Sequence, residues 1–263
     1  LTAGNARVKE ARKLSRRSAR SERRLFLADG PKAVEGALGV PGCPVEVFAT
    51  ESATDQQPAL ASAAAAAGVP WTVVDDRALA SLSDSVTPAG VVAVCRFLDR
   101  PLDTLLERSP RLVAVCADVR DPGNAGTVIR TADAAGADLV VLAGTSVDPY
   151  NPKTVRATVG SLFHLPVAVA PDPAAVVRSL REAGLAVLAT AGAGEVDLFE
   201  ADALLDAPTA WLFGNEAHGL PGELASLADH RVRIPLLGRA ESLNLSTAAA
   251  VCLYASAKVQ RGR

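Results

Sequence analysis

The chain contains no stretch of about 18 uninterrupted, strongly apolar residues, so no part of it reads as a membrane-spanning helix. Ala59–Ala67 is helix-prone but too short and too weakly apolar to span. The N-terminal residues are polar and basic and carry no apolar secretion core, which makes a cytoplasmic location the expectation. Cysteine is scarce, and Cys43, Cys95, Cys116 and Cys252 form no Cys-x-x-Cys pair, so buried reduced thiols are expected rather than a zinc site or disulfides. His164, His218 and His230 are scattered without ligand spacing, and no metal is expected. His164 and His230 read as structural, while His218 borders a motif described below and is left open. No Gly-x-Gly-x-x-Gly follows a strand-like run; Gly192-Ala193-Gly194 comes nearest and lacks the third glycine, which counts against a dinucleotide-type fold. There is no internal repeat.

What is present is an ordinary globular composition. The 263 residues are 49% apolar and 21% charged, enough for one large domain or two modest ones. The formal charge of −2 conceals clustering: Arg7 to Arg24 carries nine Lys or Arg against Glu10 and Glu22. Such a local excess is the footprint of a phosphate-binding surface, or else a solvated helix face. Arg16, Arg17, Arg20, Arg23 and Arg24 are the candidate phosphate contacts, and become RNA-binding candidates once the motifs described below are taken into account.

The pattern of elements is α/β. In the first part, helices are expected at Arg7–Ser18, from Pro31 through Leu38 and at Pro58–Ala67, with strands at Leu25–Ala28, Val45–Ala49, Trp71–Val74 and Val91–Cys95. Asp75 or Asp76 is the expected cap of a further short helix. Asp99–Arg111 is charged, contains Pro101 and Pro110, and reads as a linker with weak helical character at Leu102–Leu106. The second part begins with a strand at Leu112–Cys116 and a helix over Asn124–Ala135 ended by Gly136. Strands follow at Leu139–Leu142, Pro166–Ala170, Leu185–Ala189 and Ala210–Phe213. Further helices are expected at Ala174–Glu182 and Pro221–Ala228, and a closing one from about Ser246 to Lys258. That last helix carries small apolar residues on nearly every face, so it is expected at an interior or a subunit interface. Two domains follow, 1–107 and 108–263.

Three segments place Gly, Asn, Ser or Glu at the ends of apolar runs, where backbone meets a ligand. They are Asp118-Val119-Arg120-Asp121-Pro122-Gly123-Asn124 running on to Arg130, then Leu212-Phe213-Gly214-Asn215-Glu216-Ala217-His218-Gly219-Leu220, then Ile234-Pro235-Leu236 running on to Glu241-Ser242-Leu243-Asn244-Leu245-Ser246. In this order they closely resemble the three motifs of the SpoU/TrmH family of RNA ribose 2'-O-methyltransferases, members of the knotted SPOUT superfamily. The match covers Leu112 to the C-terminus. Gly30-Pro31-Lys32-Ala33-Val34-Glu35 resembles, more loosely, the start of the ribosomal-protein-like substrate-binding domain that precedes many such catalytic domains.

The resemblance implies an N-terminal α/β substrate-binding domain followed by a trefoil-knotted α/β methyltransferase domain. It implies S-adenosylmethionine as cofactor, RNA as substrate and a homodimer whose active site spans two chains. Carried over residue by residue, the cofactor pocket takes Thr190, Ala191, Gly192, Phe213, Gly214, Glu216, Ile234, Leu236, Ser242, Leu243 and Ser246. Gly214 and Gly238 suit close backbone approach. The catalytic group takes Asn124, Arg130, Glu216, Ser242 and Asn244. The family places Arg130 at the 2'-hydroxyl and often casts it as a base. A guanidinium stays protonated, so clamping a phosphate or the developing alkoxide suits it better. Pairing with Asp133 on the same helix is the competing structural role, and Asn124 has one as helix cap. Lys153 and Arg156 match a family segment ahead of Thr158-Val159-Gly160 and are phosphate candidates or members of exposed ion pairs. The expected activity is 2'-O-methylation of structured RNA, most readily large-subunit ribosomal RNA. Antibiotic self-resistance, transfer RNA methylation, or a noncatalytic RNA-binding or ribosome-assembly role on the same scaffold are the alternatives.

Overall fold

A computed structural model describes residues 1–261. The chain divides into two compact units, Leu1–Leu98 with Asp148–His164, and Asp99–Val147 with Leu165–Arg263. This differs from a single cut between residues 107 and 108: the first boundary falls nine residues earlier, and one internal segment returns to the first unit.

In the first unit, α1 (Ala6–Arg12) and α2 (Arg17–Arg23) precede a four-stranded sheet. The strands are β1 (Leu25–Asp29), β2 (Pro44–Ala49), β3 (Trp71–Val73) and β4 (Val91–Arg96), in the order β1-β4-β2-β3, with β4 antiparallel to both neighbours. Helices α3 (Pro31–Leu38), α4 (Glu51–Gln56), α5 (Pro58–Ala66) and α6 (Asp76–Ala80) connect them. Asp75 caps α6 by accepting from the Ala78 N–H at 2.7 Å.

The expected single helix over residues 7–18 is broken. Lys13–Ser15 tightens to a 3-10 turn and Arg16 adopts extended backbone (ψ 134) before α2 begins. The break releases carbonyls, and Arg20 takes them: its Nη1 donates to Leu14 O at 3.0 Å and Ser15 O at 2.9 Å. Its Nε and Nη2 both donate to Asp148 Oδ2, at 3.0 and 2.7 Å. Asp148 opens the returning segment, which contains α9 (Pro152–Thr158). Tyr150 in that segment stacks on Phe97 with centroids 3.9 Å apart and accepts the Leu98 N–H at 2.7 Å.

The second unit is a seven-stranded parallel sheet. Its strands are β5 (Leu112–Ala117), β6 (Leu139–Ala143), β7 (Val167–Ala170), β8 (Ala186–Thr190), β9 (Val196–Asp197), β10 (Thr209–Phe213) and β11 (His230–Arg233), ordered β7-β6-β5-β10-β8-β11-β9. Central strands β5, β6 and β10 are buried along their whole length, which explains their unbroken apolar runs: both sheet faces are covered. On one face Ala114, Cys116, Trp211 and Phe213 pack with α8 (Pro122–Ala135), α11 (Asp202–Leu205) and α13 (Leu245–Arg261). On the other, Val113, Val115 and Leu212 pack with α7 (Leu102–Leu106), α10 (Pro173–Glu182) and α12 (Gly222–Ser226). The Trp211 indole N–H donates to Ser256 Oγ of α13 at 2.9 Å, so the largest core side chain keeps its polar edge satisfied.

All four cysteines are buried and free. Burial pushes the Cys116 thiol up to about 12, with the Glu216 charge adding to it. No helix among the described residues is long and apolar enough to cross a membrane.

Candidate active site

The carboxyl ends of β5, β8, β10 and β11 lie side by side, and the loops leaving them form one site, as in open parallel sheets generally. After β5 the chain turns at Asp118, whose φ is 57, and enters α8 through Asp121. Asp121 is the cap of α8: its Oδ1 accepts the Asn124 N–H at 2.7 Å. Asn124 therefore sits inside the first turn with its amide free to point elsewhere, which corrects the alternative that Asn124 is the cap.

Glu216, in the loop after β10, is the hinge of the arrangement. Its Oε1 accepts from the Asp121 N–H at 3.0 Å and from Asn124 Nδ2 at 3.4 Å, and its Oε2 accepts from the Arg120 N–H at 3.2 Å. Asn244 Nδ2 donates to Asn124 Oδ1 at 3.1 Å. Asn244 also caps α13, its Oδ1 accepting from the N–H and hydroxyl of Ser246 at 2.9 and 2.6 Å. One carboxylate and two amides thus tie the three motifs together. Asn215, which sequence reasoning passed over, adds a further tie: its Nδ2 donates to Asp118 O at 2.8 Å, and its Oδ1 accepts the Ala217 N–H at 2.9 Å. Its place between Gly214 and Glu216 was the available signal.

Beside this cluster lies a cleft of about 370 Å³. Thr190, Ala191 and Gly192 form one wall, Gly214 and Glu216 a second, and Ile234, Leu236, Ser242 and Leu243 a third. Two of the residues assigned to a cofactor pocket fall outside it. Phe213 is fully buried in the core, stacked on Trp211 at 6.5 Å, and Ser246 is spent on the cap of α13. Gly214 is required, but by its own loop: a Cβ there would stand 2.3 Å from the Gly219 carbonyl carbon. A Cβ at Gly192 or Gly238 would meet no protein atom within 4 Å, so neither glycine is demanded by the packing of its own loop. Residues 234–243 contribute no backbone–backbone hydrogen bond among the described residues, leaving their peptide N–H and C=O groups unclaimed along the cleft.

Arg130 projects from the third turn of α8, exposed, and enters no hydrogen bond or ion pair among the described residues. The pairing with Asp133 does not form. Neither Arg130 nor Asn124 lines the cleft of its own chain.

The RNA candidates of the first unit divide. Arg16 and Arg17 are exposed. Arg23 is tied to α1 by a bond to Glu10 O at 2.9 Å, and Arg24 lies over the Phe97 ring at 4.6 Å. Arg20 is corrected outright: at 2% exposure and with its donors committed to Asp148, Leu14 and Ser15, it is a structural residue with nothing left for a phosphate. Arg156 forms an ion pair with Asp84, the outcome held open for it, while Lys153 is exposed.

Residues 111–254 match the model of the SpoU rRNA Methylase family, and residues 5–93 match the MRM3-like substrate binding domain. The 23S rRNA guanosine-2'-O-methyltransferase RlmP of Bacillus subtilis is 34% identical over 259 residues, covering 96% of each chain. An rRNA methyltransferase from Sinorhizobium meliloti, solved with AdoMet bound, superposes with a TM-score of 0.80 at 37% identity, over 96% of this chain and 94% of that one. The SpoU methyltransferase AviRb from Streptomyces viridochromogenes, also solved with AdoMet, gives 0.84 at 32% identity over 97% of both chains. A likeness that runs the length of both chains, together with a family model that spans all three motifs, settles the relationship: the chain belongs to the SpoU rRNA methylase family.

Proposed function

We propose that the protein transfers a methyl group from S-adenosylmethionine to a ribose 2'-hydroxyl of structured RNA, with large-subunit ribosomal RNA as its substrate. The observation that carries this reading is the Glu216 clamp, which gathers Asn124 and, through it, Asn244 at the edge of the 370 Å³ cleft. The cleft fits the cofactor. Its volume lies within the ~300–1,000 Å³ usual for small-molecule sites. Leu236 and Leu243 offer apolar cover for a purine, and the unclaimed peptide groups of 234–243 offer donors and acceptors to its edge. When bound, S-adenosylmethionine supplies an electrophilic methyl group.

The chain's own residues bind and orient. Glu216 fixes the loop that carries Asn124, Asn244 joins that loop to α13, and Arg130 stabilises charge developing on the ribose oxygen. Mapping ribose methylation on RNA from a deletion strain against its complemented strain tests the reading. One large-subunit position is expected to lose its 2'-O-methyl group, and calorimetry on the purified protein should show cofactor binding. No changed position together with no cofactor binding by folded protein refutes the proposal. A change confined to transfer RNA, or one that appears only as antibiotic sensitivity, selects an alternative substrate or role.

The protein works as a homodimer in the cytoplasm, with each active site shared. In support, α13 leaves Tyr254 53% exposed beside the half-buried Ala250, Val251 and Ala257, and Arg130 stands outside its own cleft. A two-fold contact buries that face in both copies at once. Mixing inactive Arg130→Ala and Asn244→Ala proteins under verified subunit exchange should restore part of the activity, because mixed dimers carry one intact site. Activity that stays at zero defeats the shared site. Membership of the SpoU family supports a trefoil-knotted threading of the second unit; a chain trace that is unknotted when its ends are closed would refute it.

A further inference from the structure

Arg120 immediately precedes the cap of α8 and faces solvent. Its backbone is anchored through the Glu216 bond, so the residue is held within the motif cluster. Its guanidinium makes one contact, from Nη2 to Thr145 Oγ1 at 3.4 Å, and no ion pair among the described residues. That is unusual beside three carboxylates, and the hydrogen bonds explain it.

Each acid is committed to neutral donors. Asp118 Oδ1 accepts from the Thr145 N–H at 2.7 Å and from the Thr145 hydroxyl at 2.8 Å. Asp121 caps α8, and Glu216 holds two backbone N–H groups and the Asn124 amide. The guanidinium is therefore held by Thr145 and makes no direct ion pair among the described residues. The orientation is built in stages. The left-handed backbone of Asp118, which aspartate tolerates better than most residues, turns its carboxylate onto the loop after β6. Thr145 spends its hydroxyl proton on Asp118, which leaves an oxygen lone pair to receive the Arg120 N–H.

We propose that Arg120 grips an RNA phosphate adjoining the target ribose and so positions the substrate at this site, with Thr145 aiming it and Asp118 fixing Thr145. The inference rests on the methyltransferase reading. A guanidinium presents a planar fork that suits phosphate oxygens, and the backbone N–H of the residue that carries this one donates to the carboxylate that also holds Asn124. A phosphate held there presents the neighbouring ribose to the same cluster.

The test is equilibrium binding and turnover of a ribosomal RNA fragment over a range of salt, using the full chain. Arg120→Gln is expected to raise the RNA KM and Kd by on the order of tenfold and to reduce the slope of log affinity against log salt by about one phosphate's worth. Cofactor affinity and Tm should be unchanged. Arg120→Lys should recover the slope and only part of the affinity. Thr145→Val should keep the slope and weaken binding less than Arg120→Gln. Wild-type affinity and slope in Arg120→Gln overturn the proposal. So does weakened binding with an unchanged slope and a lowered Tm, since Arg120 would then only balance the nearby carboxylates. Because the slope is read by binding, a wild-type protein that binds RNA but transfers no methyl group defeats the methyltransferase reading without deciding this one.

Discussion

Arg130→Ala is expected to lower the rate of methyl transfer at least ~100-fold while cofactor affinity stays at the wild-type value. The side chain is exposed, has no partner among the described residues, and lies outside the cleft that would hold the cofactor. Removing it leaves no buried acceptor unsatisfied, so the fold should not respond. A guanidinium cannot serve as a base near neutral pH, because it stays protonated. What it offers is fixed positive charge and a donor fork, worth most when a ribose oxygen is turning into an alkoxide. A contact made chiefly in the transition state lowers kcat with little change in cofactor binding. Single-turnover transfer from labelled cofactor, with calorimetry on the same protein, reads both quantities. Arg130→Lys should remain poor, since an ammonium keeps the charge and loses the fork. Wild-type turnover in the alanine variant would remove Arg130 from the reaction; loss of cofactor binding would instead place it in the binding site.

The parts of the fold that were legible in the sequence are those set by local chemistry. Pro31 opens α3, Asp75 caps α6, and Gly136 ends α8 in the left-handed conformation that glycine permits. The apolar runs at Leu112–Cys116, Leu139–Leu142 and Ala210–Phe213 read as strands because a parallel sheet covered on both faces asks for continuous apolar residues. Strand β11 escaped because His230-Arg231-Val232-Arg233 has one buried apolar residue, and its place between β8 and β9 is a tertiary fact. The return of residues 148–164 to the first unit was equally illegible, since it depends on Arg20 and Phe97 meeting Asp148 and Tyr150 more than fifty residues away. At the candidate site the residue types were readable and the bonding was not. Asn124 stood out by spacing, yet capping falls to Asp121, and only the structure gives Glu216 its three donors.

Arg20→Ala should destabilise the protein by about 3–5 kcal/mol, the usual cost of removing one partner of a buried, hydrogen-bonded ion pair. The side chains of Arg20 and Asp148 are 3% and 12% exposed. Alanine at position 20 would leave the Asp148 carboxylate without its countercharge and strip Leu14 O and Ser15 O of their donor. A loss of this size should lower Tm by on the order of 10 °C, measurable by calorimetry. The exposed arginines of the same cluster should behave in the opposite way. Replacing Arg16, Arg17, Arg23 and Arg24 together with Gln should leave Tm almost in place, because each of these side chains keeps at least one face in water. That variant should flatten the salt dependence of RNA binding, since phosphate contacts contribute in proportion to the counterions they release. An Arg20→Met, Asp148→Leu double variant tests the cause of the Arg20 effect: removing both charges together should recover much of the lost stability. If Arg20→Ala instead melts like wild type and weakens RNA binding, the buried pair is dispensable and Arg20 returns to the RNA surface where its place in the basic run first put it.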